Sequence, residues 1–153
     1  MPNKSLYNTE DYQEIVNRIN SLTPETQPEW GSMSVAQMMA HCAEAQEVSN
    51  GSRELTGTPL LVRLFFKGMI RKAVMGEKPF KRHLQTHPQY KQTSEKDFAN
   101  EKGRLLTSIT DFVEMDEAKA ADINHPIFGT TEREERGWGM YKHLDHHLSQ
   151  FGV

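Results

Sequence analysis

The chain of 153 residues holds a single cysteine, so no internal disulfide can form and neither a Cys₂His₂ nor a Cys₄ zinc site is available. A lone unprotected thiol suits a reducing compartment, and the expected location is cytoplasmic. Long apolar runs are missing too. The N-terminal residues Met1-Pro2-Asn3-Lys4-Ser5 contain no apolar signal core. The most apolar stretch, Leu60 to Ile70, is broken by Arg63 and Lys67 and falls far short of the ~20 residues a span needs. No membrane contact is expected. Internal repeats, low-complexity tracts and alternating β patterns are also absent, which leaves one all-α domain over residues 1–153 as the reading.

Charge is present in both signs but unevenly. The formal total is −3, yet residues 1–58 carry a net −5, residues 59–104 a net +7 and residues 105–153 a net −5. A basic middle third can mark a phosphate, nucleic-acid or membrane-surface contact. In a net-acidic chain without interleaved aromatic platforms, the expectation is a basic segment docked on acidic neighbours, with no nucleic-acid partner.

Five helices follow from periodicity. The first places Tyr12, Ile15, Val16, Ile19 and Leu22 on one face, with Asn8 or Thr9 as cap and Pro24 as stop. The second opens on the capping box Ser34-Val35-Ala36-Gln37 and stops at Asn50-Gly51. Pro59 starts a third, basic amphipathic helix that ends near Gly76. Residues 78–92, with Pro79 and Pro88, read as irregular. A fourth helix runs from a cap at Ser94 to about Met115, with Phe98, Leu105, Ile109 and Phe112 in its stripe. An extended turn at Asn124-His125-Pro126-Ile127-Phe128-Gly129 precedes the last helix. That helix is opened by Thr131-Glu132-Arg133-Glu134 as a capping box and closed by Gly152. Such lengths fit a four-helix bundle with one crossover, the basic helix lying inside the crossover.

Seven histidines supply the chemistry, three of them in His143-Leu144-Asp145-His146-His147. At about 100° per residue, positions 143 and 147 lie about 40° apart and one turn apart, so their rings can converge on one ion. By the same phasing His146 points to the opposite, wet face. On the second helix His41 falls within the inward stripe of Val35, Met38, Cys42 and Ala45. An inward histidine alone more often bonds a carbonyl. Two further inward histidines allow a His₃ set, the ligand set of catalytic zinc with one position open. Imidazole also suits nickel, copper and iron.

Gln37 and Glu44, one turn on either side of His41, are candidates to orient its ring or accept a proton, against an exposed helix flank. His125 is a candidate for the pocket within a mainly structural turn. Cys42 reads as a packed thiol, His83 and His87 as solvated loop residues, and Trp30 and Trp138 as packing anchors.

Several blocks together carry a family resemblance: Trp30-Gly31-Ser32-Met33-Ser34-Val35-Ala36-Gln37-Met38-Met39-Ala40-His41-Cys42, His125-Pro126-Ile127-Phe128-Gly129, Trp138-Gly139 and the run His143 to Gly152. In order and wording the chain resembles the DinB-like metalloprotein superfamily, in a branch known as a domain of unknown function. The resemblance implies an up-down-down-up four-helix bundle with a crossover between its second and third helices. It also implies a divalent metal, zinc or nickel, held by His41, His143 and His147. Characterised members include thiol-dependent transferases and isomerases. The expectation is therefore a metal-dependent enzyme acting on a small molecule, with transfer of a low-molecular-weight thiol first. A metal-dependent hydrolase or a non-catalytic metal- or ligand-binding protein is the alternative, and a homodimer stays open.

Overall fold

A computed structural model describes residues 4–153. Among these are six α-helices and no strand: α1 (Thr9–Ser21), α2 (Val35–Ser49), α3 (Lys67–Met75), α4 (Phe98–Glu114), α5 (Glu117–Asp122) and α6 (Arg133–Gln150). A π-helical turn, Val62–Phe66, runs directly into α3, and a 3₁₀ turn spans Pro88–Tyr90. No helix is long and apolar enough to cross a membrane.

The caps explain where the elements begin. Ser34 and Gln37 form the reciprocal box at the start of α2, each side chain bonding the other's backbone amide. The start of α4 lies later than expected. Asp97, not Ser94, accepts the Asn100 amide at 2.8 Å, because a carboxylate is the stronger partner for the positive end of a helix. The box of α6 is displaced by one residue, with Glu132 as the cap and Glu135 returning to its amide at 3.1 Å. Helix α5 was not expected from periodicity. Its six residues bury only Ala120, and the Asp116 carboxylate, accepting from two amides, starts it.

One core joins Ile15 and Ile19 of α1, Met38, Met39 and Cys42 of α2, Leu105, Ile109 and Phe112 of α4, and Leu144 and Leu148 of α6. Each such side chain, fully buried, contributes about 1.5–3 kcal/mol of transfer free energy. Helix α2 is the centre of the packing. It is buried nearly all round, against α4 on one side and α6 on another, so its sequence lacks a distinct polar face. Ion pairs brace the outside: Arg104 grips Glu47 with two bonds of 2.6 and 2.7 Å, and Arg18 reaches Asp145 at 2.7 Å.

A second, smaller cluster of Val48, Leu55 and Ile127 gathers Ile70, Tyr90 and Phe128 around it. It draws the long connection after α2 back onto that helix and sets the Pro88–Tyr90 turn beside His41. Only part of the basic segment docks as expected. Arg71 is held by the Glu135 carboxylate at 2.7 and 2.9 Å and by the Phe128 and Thr130 carbonyls.

Candidate metal centre

His41 lies in the middle of α2, and His143 and His147 lie one turn apart on α6, which packs against it. The two helices bring the three rings together. The Nε2 atoms of His41 and His143 are 3.1 Å apart. The ring of His147 sits 4.6 Å from that of His41 and 4.9 Å from that of His143, centroid to centroid. One potential ligand atom from each residue lies within 4.8 Å of the others.

Two of the rings are oriented from behind. A backbone carbonyl can only accept, so His41 must donate from Nδ1 to Tyr90 O at 3.0 Å, leaving a lone pair on Nε2. The Gln150 amide nitrogen donates to Trp30 O at 2.8 Å, which turns its oxygen towards His147. His147 therefore donates from Nδ1 to Gln150 Oε1 at 3.0 Å, and its Nε2 is also free to coordinate. These backing bonds are the arrangement that holds metal-binding imidazoles in one tautomer. His143 lacks such a partner: its Nδ1 is buried without a hydrogen bond.

The donor set fits a divalent ion. Burial first, and the neighbouring imidazoles next, keep the His143 ring well below the usual histidine range, and the same causes take His147 down to about 3. Burial also lowers His41, although the Tyr90 carbonyl and the Glu44 charge oppose it. All three rings are thus neutral at pH 7, the state a metal requires. The 3.1 Å separation of two Nε2 atoms is close to the ~3.3 Å edge of a tetrahedron with metal–nitrogen bonds of about 2.0–2.1 Å.

The remaining candidates part from the triad. Gln37 is spent on the cap of α2 and on a bond from its amide nitrogen to Ser94 O at 3.0 Å, so it does not orient His41. Glu44 is buried, not an exposed flank. It receives Gln89 and Gln92 amide bonds of 3.4 and 3.2 Å and lies 3.6 Å from Arg53, close enough to act on the His41 charge without touching the ring. His125 stays in its turn, its Nδ1 accepting the Ile127 and Phe128 amides while the ring stacks 4.2 Å from Phe128. His146 is not on a wet face. Loop residues cover it, so the half-buried ring meets Phe80 and Trp30 edge-on, 5.1 Å from His147.

Cys42 is fully buried, and burial pushes its thiol far up, so it stays protonated. His87 is no solvated loop residue. Its Nδ1 accepts the Gln89 amide and caps the turn that presents the Tyr90 carbonyl. Trp138 does serve as an anchor, donating to Gly76 O and stacking on Tyr141.

Sequence reasoning passed over Tyr90 and Gln150. Gln150 stands three residues after His147, on the same helix face, a spacing that could have found it. Tyr90 contributes a backbone carbonyl, which no side-chain pattern reveals. Replacing Gln150 by leucine is expected to weaken divalent-metal affinity by about 10–100-fold, the usual cost of losing an outer partner of a metal-binding imidazole, as read by competition with a chromogenic chelator. Unchanged affinity would mean that Gln150 orients nothing.

An all-helical chain with a close trio of histidines, two of them buried, is the class these observations define. The chain belongs to the family described as "Protein of unknown function (DUF1569)", whose model matches residues 2–152. No curated protein and no solved structure matches it.

Proposed function

We propose that this is a DinB-like metalloprotein, in which α1, α2, α4 and α6 form the four-helix bundle, α3 lies in the crossover, and His41, His143 and His147 hold zinc or nickel. On this reading it is an enzyme that transfers a low-molecular-weight thiol to or from a small molecule. The observation that carries it is the convergence of three neutral imidazoles, two with Nδ1 committed to acceptors and Nε2 left unprotonated. Three nitrogen ligands leave a tetrahedral ion one ligand short, the arrangement of a catalytic site.

A divalent ion in such a set supplies the Lewis acidity that brings a thiol or water close to its conjugate base near neutral pH. The protein's own part is to orient and to exclude. Tyr90 O and Gln150 fix two rings, while burial keeps bulk water off them. Cys42, packed in the core as a protonated thiol, does not compete for the open position. Glu44, one turn from His41 on α2, is a buried carboxylate held by bonds from Gln89 and Gln92.

Thermal denaturation with cysteine, glutathione and small metal-binding anions tests the reading. A ligand at a hundredfold excess over its dissociation constant is expected to stabilise the metal-loaded protein by about 2.7 kcal/mol, with no effect on the apoprotein or on His41→Ala. Equal stabilisation of apo and loaded forms would overturn it.

A further inference from the structure

The exposed large hydrophobic side chains of the described residues are concentrated in one place. Leu60, Leu61, Leu64, Phe65, Phe66 and Met69 lie within ten residues, each 45–72% exposed, and the remaining one, Leu84, belongs to the same long connection. Single exposed apolar residues are ordinary on any surface, whereas six in succession are a patch that water does not favour.

The helix that carries them, residues 60–75 including the π-helical turn, is fastened only at its far end. Lys142 of α6 donates to Ala73 O and Gly76 O at 2.7 Å each, Arg71 is clamped by Glu135, and Met75 lies against Gly139. From residue 60 to 69 every residue except Val62 is exposed. Cations stand among the apolar side chains: Arg63, Lys67 and Lys72 are exposed and have no acidic partner among the described residues, and residues 55–76 contain no acidic residue at all. Arg63 further lines an open cleft of about 280 Å³ with Thr56, Thr58 and Pro126, which leaves its guanidinium accessible.

We propose that this helix is the docking surface for an anionic phospholipid membrane, lying in the interface with Leu60, Leu61, Leu64, Phe65, Phe66 and Met69 in the acyl boundary and Arg63, Lys67 and Lys72 against lipid phosphates. The combination selects the occupant. A two-fold contact between copies would set this cationic segment against itself, with no acidic group within residues 55–76 to pair Arg63, Lys67 or Lys72. A nucleic acid would pair the cations and leave six large apolar side chains in water. An anionic lipid surface satisfies both kinds of group at once. The proposal departs from the sequence-based expectation of no membrane contact, and it is independent of the metal site.

Co-sedimentation of the full chain with vesicles tests it. Wild type is expected to bind vesicles of two parts phosphatidylcholine to one part phosphatidylglycerol, and to bind pure phosphatidylcholine at least tenfold more weakly. Each cation near such a surface strengthens binding about fivefold, so Arg63→Glu/Lys67→Glu should lower the partition coefficient by at least about 25-fold. Leu64→Asp/Phe65→Asp should lower it comparably. All four positions are exposed, so unchanged circular dichroism is expected and shows that folding is intact. Absence of binding to the anionic vesicles, equal binding to both lipids, or folded variants that bind like wild type would overturn the proposal. So would a wild-type dimer that Leu64→Asp/Phe65→Asp makes monomeric, since that result assigns the face to a second copy.

Discussion

Alanine at His41, His143 or His147 is expected to abolish stoichiometric binding of a divalent metal, while His146→Ala retains it. Removing one of three ligands should cost more than the 10–100-fold typical of an outer partner, enough to leave the purified variants essentially metal-free by elemental analysis. His146 is the sharp control, since its ring lies only 5.1 Å from His147 yet faces Phe80 and Trp30 instead of the cluster. Full metal content in the His143 or His147 variant, or loss in the His146 variant, would show that α6 turns a different face towards α2.

The second large effect concerns the apoprotein in acid. An unfolded imidazole titrates near 6.5. In the folded chain His41 and His143 titrate below that value, His147 at about 3 and His125 at about 4, with burial the largest cause in each case. Because the folded values are depressed, unfolding takes up protons between the two limits. Stability is complete above pH 6.5 and falls as pH drops towards 4. His147 and His125 each contribute about 1.4 kcal/mol per pH unit within that window, roughly 3 kcal/mol per pH unit together, and the lowered His41 and His143 add to the slope in the same direction. Against a total stability of about 5–15 kcal/mol, the chelator-treated protein is expected to unfold before pH 4 is reached. The melting temperature followed from pH 7.5 to 4.5 measures this. A flat profile would mean that the rings are solvated or already charged in the folded state.

Features written in side-chain periodicity and local caps were legible in the sequence. The Ser34–Gln37 box and the stops at Gly51 and Gly152 stand where the residues placed them. The four-residue step between His143 and His147, together with the inward His41, pointed to three rings that do meet. What escaped depends on partners remote in sequence or on backbone atoms. Asp97 outcompeted Ser94 as a cap by its charge, α5 is too short for a period, and Gln37 was drawn to Ser94 O instead of His41. His146 was misjudged for a similar reason. Helical phase gives the direction of a ring but not whether distant Trp30 and Phe80 will cover it.

The contacts that join α6 to the rest of the centre, and the Tyr90 turn to His41, are long in sequence. His41 and His143 are 102 positions apart, His41 and Tyr90 49, and Gln150 and Trp30 120. No fragment cut between residues 41 and 143 contains the trio, and loop-closure entropy opposes its assembly until the core has brought α2 and α6 together. On the proposed metal role, capture of an ion by all three rings would follow the docking of α6 on α2. A chain that ends before His143 would offer only His41, so three-ligand binding would require α6 to have been made and packed.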